Sequence, residues 1–283
     1  MYLFLLKIIN ETYIAEELMM NTNYYDASET WKQELEHEGY EHHCYSTKNF
    51  KKIKQLSRVW QIILKITKIT PPNQLFELGC GGGIHLASLA VNGFEVHGID
   101  ISASVASRAK NYLEEVGKFQ AIKASIEVAN IFDYESTDSY NMCFHFGVVE
   151  HFLELSQRQQ IWNKLYSLTK PGGWIISVVP CGQHLMRKLV RERGLGGYNI
   201  PEIDYSCSLH KEEFENLSLQ CILTVPHNYF GFFAAHPSLV ISKIIYPVCF
   251  IISNITIPYI PISEDIKEHW AQTLIVVGRK SLI

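Results

Sequence analysis

Apolar positions from Asn49 to Thr70 recur at helical spacing: Phe50, Ile53, Leu56, Trp60, Ile63 and Leu64 share one face. The other face is basic, with Lys51, Lys52, Lys54, Arg58, Lys65 and Lys68 and no acid in the run. Such a face is either solvated or turned toward an acidic or headgroup surface. Pro71-Pro72 then stops the helix, because proline lacks the N–H donor and restricts the residue before it. The chain therefore divides into 1–70, helical, and 71–283.

Beyond Pro72 the period changes. Short apolar runs predict strands at Leu75–Leu78, Glu95–Ile99, Phe119–Ala124, Tyr140–Phe146 and Trp174–Val179. Between them, helical patterns cover Ile84–Val91, Ala103–Val116 and Ser156–Leu168. Pro171-Gly172-Gly173 reads as a turn before the strand that follows it. Further on come a helix at Ser208–Leu217 and strands at Cys221–Val225 and Leu274–Gly278. Strands alternating with helices across short loops predict an α/β fold, a doubly wound and mostly parallel Rossmann-like sheet covered on both faces.

Composition narrows this only a little. In 283 residues, 47% hydrophobic and 19% charged, the balance is that of a globular chain. A net charge of −4 argues against a dedicated nucleic-acid binder. The seven cysteines are scattered, none in a C-x-x-C pair, which suits free thiols in a reducing compartment and argues against zinc. The apolar start, Met1 to Ile9, lacks a basic region ahead of it and a small-residue cleavage site, so no signal peptide is read; Met19 and Met20 are alternative starts. The expectation is a cytoplasmic protein.

The chemistry concentrates at Leu75-Phe-Glu-Leu-Gly-Cys-Gly-Gly-Gly83, where a strand closes and a helix opens. Gly79, Gly81 and Gly83 let the backbone turn sharply and approach a ligand. Asp100, 21 residues beyond Gly79, ends the second strand, from where a carboxylate accepts hydrogen bonds from ribose hydroxyls. Glycine cluster, spaced acid and sheet context together indicate an adenosine-containing cofactor. The dinucleotide pattern G-x-G-x-x-G fails at its last glycine, where Ile84 or Leu86 stands. Glu77 would also repel a pyrophosphate, whereas it suits a ligand carrying ammonium and sulfonium charge. No G-K-[ST] follows, so a Walker phosphate loop is excluded.

These residues resemble the class I S-adenosylmethionine-dependent methyltransferases, in their small-molecule branch. Glu77 to Gly83 is similar to their first motif, E/D-x-G-x-G-x-G, and Asp100 to their ribose-binding acid. Phe144-His-Phe-Gly-Val-Val-Glu-His-Phe152 resembles their fourth-strand segment, and Lys170-Pro-Gly-Gly-Trp174 the turn before their fifth strand. The resemblance spans roughly Pro71 to Val179 and, more weakly, the closing strand. It implies a seven-stranded sheet with an antiparallel last strand, a helical lid formed by 1–70, and S-adenosylmethionine as cofactor. It further implies that Glu77, Gly79, Cys80, Gly81, Asp100, Ile101, Ser125, Ile126 and Phe146 line the cofactor. Family members often hold the adenine amino group with an Asp after the third strand. Here the stretch is Ile122-Lys-Ala-Ser-Ile126, so either Ser125 substitutes or the backbone alone reads the adenine. Tyr140-Asn141 replaces the family's Phe-Asp at the start of the fourth strand. The Asn/Asp-Pro-Pro-Tyr motif of many DNA-base and glutamine-amide methyltransferases is missing, which disfavours those substrates.

Methyl transfer from a sulfonium is an in-line displacement, so positioning supplies much of the rate, and a base is needed only where the acceptor must lose a proton. His151 and His145 are the candidate bases; packing or capping is the competing role of each. Tyr24, Tyr25 and Trp31 offer cation–π contact to a sulfonium, or ordinary packing. Two insertions are expected, around 181–207 and 228–268. The first carries Arg187, Lys188, Arg191 and Arg193. In the second, Ile244 to Ile262 is a run of 19 residues with no charge, interrupted by Pro247, Pro258 and Pro261. With Phe230-Gly-Phe-Phe233 it forms an apolar cap, walls a pocket for a hydrophobic acceptor, or makes peripheral contact with a membrane. The expected function is methyl transfer to a small hydrophobic acceptor at oxygen. The alternatives are carbon methylation of a lipid or quinone-like acceptor at a membrane surface, and cofactor binding without chemistry.

Overall fold

The computed structural model describes residues 47–184, 187, 201–229, 244, 247, 248, 251 and 263–282. Tyr24, Tyr25, Trp31, most of 1–70, Phe230–Phe233 and most of both insertions lie outside the described residues.

The basic amphipathic stretch forms two helices instead of one, α1 (Thr47–Lys54) and α2 (Arg58–Thr67). The break has a local cause. Ser57 caps α2 by accepting from the Trp60 N–H, and the Gln61 amide donates to the Leu56 carbonyl at 2.9 Å. α2 ends at Lys68, whose left-handed φ of 57° closes the last turn onto Leu64.

The core follows the alternation: β1 (Gln74–Leu78), α3 (Ile84–Val91), β2 (Glu95–Asp100), α4 (Ala103–Gly117), β3 (Lys123–Val128), β4 (Tyr140–Phe146), α5 (Leu155–Leu168) and β5 (Thr169–Pro180). α6 (Cys207–Glu215), β6 (Leu219–Tyr229), α7 (Glu264–Glu268) and β7 (Ala271–Lys280) complete it. The seven strands make one sheet in the order β3-β2-β1-β4-β5-β7-β6, with β1 to β5 parallel and β7 antiparallel to both its neighbours. This is the expected Rossmann-like sheet. Its strand order reverses between β1 and β4, and ligands of such sheets bind in the crevice at that switch point.

Two expectations are corrected. β3 begins at Lys123, not Phe119: Phe119 is half exposed, and the Gln120 amide donates back to the Val91 carbonyl at 2.7 Å, so this apolar stretch is the loop leaving α4. The Pro171-Gly172-Gly173 turn lies inside β5, where the ladder jumps from Tyr140↔Thr169 to Met142↔Trp174 and the surplus residues loop out through Gly172 at φ 76°.

Side chains alternate across the sheet into two cores. One holds Leu75, Met142, Phe144 and Ile176 under α2, α3 and α4; the other holds Phe76, Cys143, Ile175 and Val276 under α5 and α6. In the second core one buried carboxylate, Glu213 of α6, accepts from Arg158 Nε, Trp162 Nε1 and Tyr205 Oη, each at 2.8 Å. That satisfies the charge and pins α6 to α5.

Candidate cofactor and acceptor site

The loop from β1 to α3 has the geometry its glycines predict. Gly79, Gly81 and Gly83 all adopt positive φ (63°, 51° and 73°). A Cβ at Gly79 would stand 2.6 Å from Val148 Cγ2, whereas Cβ atoms at Gly81 or Gly82 would meet no heavy atom within 4 Å. The first glycine thus lets the loop lie against the end of β4, and the next two present bare backbone at the carboxyl edge.

Asp100 is held at the tip of β2 by two backbone donors. The Gly81 N–H reaches Oδ2 at 3.0 Å and the Ser102 N–H reaches Oδ1 at 2.9 Å. This ties the acid to the glycine loop and leaves further lone pairs for incoming hydroxyls. Burial raises its pKa, and the two N–H donors partly counter that. Glu77 on β1 is buried, and its Oε2 has no hydrogen-bond partner among the described residues. Burial, and then the nearby Asp100, push its pKa well above the ordinary value of 4.5. An unpaired buried carboxyl beside a second acid is costly alone and is relieved by a cation. The residues present therefore fit a ligand that brings an ammonium to Glu77 and ribose hydroxyls to Asp100. Cys80, between them, has its thiol pKa pushed up by burial and by both acids, which keeps it protonated and unreactive.

Ile101 follows Asp100 directly and is 36% exposed, an apolar surface beside the acid. Ser125 and Ile126 are not at this edge. The register pairs His97 with Ser125 and Asp100 with Val128, so Ser125 sits three residues back along the strand, its Oγ 2.8 Å from His97 Nδ1. Ile126 is buried in the core under α3 and α4. The positions that do reach the edge are Val128, Ala129 and Asn130, with the Ala129 N–H bonded to the Asp100 carbonyl at 3.0 Å. Correct placement of the β3 start would have found them.

At the end of β4, the two candidate histidines part company. His145 is wholly buried in the core beneath α5, its Nε2 2.7 Å from Ser177 Oγ and its ring 5.5 Å from Trp162. Burial lowers its pKa to about 3. It faces the core and not the edge, because it lies on the same side of β4 as Cys143. His151 lies on a single 3-10 turn, Val149–His151, directly after the strand. Its Nδ1 is 3.3 Å from the Pro201 carbonyl oxygen, a pairing that places the proton on Nδ1 and the lone pair on Nε2. Burial lowers its pKa to about 4, so the imidazole is neutral at physiological pH. Neighbouring Glu150 is buried, its Oε2 without a hydrogen-bond partner among the described residues, and burial raises its pKa to about 8. Arg187, in the first insertion, pairs with Glu202 close by.

One residue was missed from the sequence. His85, in the first turn of α3, accepts a hydrogen bond at Nδ1 from Trp60 Nε1 at 3.1 Å and stacks on Phe146 with ring centroids 3.9 Å apart. Phe146 in turn lies 5.4 Å from the Trp60 ring. A histidine directly behind a ligand-binding glycine loop was the available signal. Among the described residues no cluster of side chains is arranged to hold a metal ion, and no helix is long and apolar enough to cross a membrane.

Comparison with known proteins agrees with this geometry. Residues 76–175 match a family model described as a methyltransferase domain. The chain is 33% identical over 101 residues to a "Ubiquinone biosynthesis O-methyltransferase" of Rickettsia prowazekii (strain Madrid E), covering 35% of this chain and 37% of that one. It is 29% identical over 143 residues to the protein of the same name in Rickettsia felis (strain ATCC VR-1525 / URRWXCal2), covering 50% and 56%. The matched segments thus span only between 33% and 56% of the curated relatives' own lengths. In fold, it superposes on a SAM dependent methyltransferase from Archaeoglobus fulgidus with a TM-score of 0.54 at 14% identity, covering 84% of this chain and 100% of that one. Fold, loop chemistry and the matched segment agree: residues 76–175 form a methyltransferase domain, and the residues at its edge fit S-adenosylmethionine as cofactor.

Proposed function

We propose that this chain transfers a methyl group from S-adenosylmethionine to an oxygen of a small, hydrophobic acceptor. The observation that carries the reading is the carboxyl pair at the tips of β1 and β2: Glu77, buried with an oxygen that has no partner among the described residues, beside an Asp100 fixed by two backbone N–H groups. Such a pair rejects phosphate and attracts a cationic nucleoside.

When bound, the cofactor would supply an electrophilic methyl group for in-line attack by an acceptor oxygen, the O–C bond forming as the C–S bond breaks and neutral S-adenosylhomocysteine leaves. In this reading Glu77 holds the ammonium group, Asp100 holds the ribose hydroxyls, and the backbone of Gly79 to Gly83 admits the ligand closely. Ile101 and the Val128–Asn130 edge border the adenine. His151 receives the acceptor's hydroxyl proton at Nε2, its orientation held by the Pro201 carbonyl. A pKa lowered to about 4 keeps this imidazole unprotonated before reaction, so it is ready to accept at physiological pH, and the most acidic acceptors, such as phenols, suit so weak a base best. Methylation at oxygen, and a hydrophobic acceptor, are supported by the relatives' name and by the uncharged run from Ile244 to Ile262. The segment 1–70 serves as lid and the insertions around 181–207 and 228–268 as walls of the acceptor pocket.

The test is methyl transfer from labelled cofactor to a panel of phenols. His151→Gln should lower kcat by about 100-fold at unchanged cofactor affinity. An unchanged kcat removes the base. Transfer to no phenol, with cofactor binding intact, would favour carbon methylation or binding without chemistry.

A further inference from the structure

His85 holds a neutral imidazole whose tautomer is determined by its neighbour. The indole N–H of Trp60 can only donate, so His85 Nδ1 must be the accepting nitrogen, and the ring proton sits on Nε2. Burial lowers the pKa of His85 to about 4, which keeps this arrangement across the physiological range. Trp60 is almost fully buried (1% exposed) and packs edge-on against Phe144, so the lock is anchored in the core. His85 itself is only partly buried.

Its position gives the Nε2–H a use. Asp100 marks the ribose side of the crevice on β2, and β1 separates it from β4. His85 stacks on Phe146, the last residue of β4, and so stands on the opposite side of the switch point, three residues ahead of the turn that carries His151. A flat apolar surface of His85 and Phe146 with one fixed donor suits a planar ligand carrying a hydrogen-bond acceptor. The donor cannot serve the oxygen under methylation, because donating to a nucleophile's lone pair weakens it. A different heteroatom on the same ring suits it.

We propose that His85, locked by Trp60, is the specificity-determining residue of the acceptor subsite, donating from Nε2 to a non-reacting oxygen or nitrogen of a planar, unsaturated acceptor. This rests on the methyltransferase reading above. His151 and His85 then divide the work: one accepts a proton from the acceptor, the other donates a hydrogen bond to it.

Coumarin and naphthalene provide a matched pair of probes, alike in shape, with only the first carrying oxygens that accept hydrogen bonds. Each is titrated calorimetrically into the full chain saturated with S-adenosylhomocysteine. The wild type should bind coumarin about tenfold more tightly than naphthalene, the worth of one neutral hydrogen bond. His85→Phe keeps the stacking surface and should erase the preference while naphthalene binding persists. His85→Gln, whose amide can accept from Trp60 and still donate, should restore most of it. A coumarin preference that survives His85→Phe overturns the proposal, as does a wild type that binds the two probes equally or binds neither. Failure of S-adenosylhomocysteine itself to bind would instead overturn the methyltransferase reading, so the two failures are distinguishable.

Discussion

Glu77 shows how one buried side chain can report on a ligand. Its raised pKa means that the free protein keeps this proton to a higher pH than an ordinary carboxyl would, at a place where a cationic ligand needs a carboxylate. Cofactor binding should therefore release a proton, and affinity should rise with pH through the range in which Glu77 titrates. Calorimetry of S-adenosylmethionine binding in buffers of different ionisation enthalpy measures that release directly. Glu77→Gln should abolish the release and lower affinity at least tenfold; identical heats across buffers in the wild type would contradict the assignment. His145 makes the opposite point. Its Ser177 partner and core position predict that His145→Ala lowers stability by about 2–4 kcal/mol without changing cofactor affinity, measured by chemical unfolding and titration in parallel. The sequence offered both as candidate bases, with His151 ahead of His145, but a motif carries no alternation. Only the pleat of β4 separates a core histidine from an edge one.

At the scale of elements, the glycine loop and its acid were legible because their constraints are local: positive φ at three positions and a spacing set by one strand–helix–strand unit. Gly79→Ala tests this. It forces a left-handed φ on a residue with a Cβ and drives that Cβ against Val148. The expected result is a loss of about 1–3 kcal/mol in stability and no detectable cofactor binding. What escaped the sequence depended on register. The apolar Phe119–Ile122 stretch imitates a strand start, and moving it to Lys123 carries the cofactor edge from Ser125 to Val128–Asn130. The kink between α1 and α2 escaped for a similar reason, since a helical period continues across a break that only the Ser57 cap reveals. The buried knot on Glu213 was equally invisible, because its partners come from α5, which supplies Arg158 and Trp162, and from the loop ahead of α6, which supplies Tyr205. Glu213→Ala strands Arg158 and should cost about 3–5 kcal/mol in unfolding free energy.

Across the whole molecule, buried histidines set the response to acid. His151, His184 and His227 have pKa values lowered to about 4 and His145 to about 3, and His210 is also lowered well below its ordinary value, all chiefly by burial. An unfolded chain protonates these groups near the ordinary 6.5, whereas the folded chain resists until pH 4 or below. Their contribution to stability is thus complete above about pH 6.5 and is lost as pH falls from there toward 4. Glu77 and Glu150 act with the opposite sign, binding protons in the folded chain first, and offset part of the loss. The histidines outnumber them, so the unfolding free energy from urea titration should be lower at pH 5.5 than at pH 7.5, by about 1.4 kcal/mol per pH unit for each net proton. A free energy unchanged over that range would mean the histidines are hydrated. The mostly parallel sheet, by contrast, was legible in the strand–helix alternation and its antiparallel last strand was implied by the family resemblance, while the strand order itself comes from the structure.

The central claim is that the crevice between β1 and β4 holds S-adenosylmethionine. The most direct test is calorimetric titration of the full chain with S-adenosylmethionine, S-adenosylhomocysteine and NAD, repeated on Asp100→Ala. The account predicts that both sulfur compounds bind, that NAD does not, and that the substitution removes binding by taking away the ribose acceptor. Binding of NAD, or of neither sulfur compound by the wild type, would contradict it.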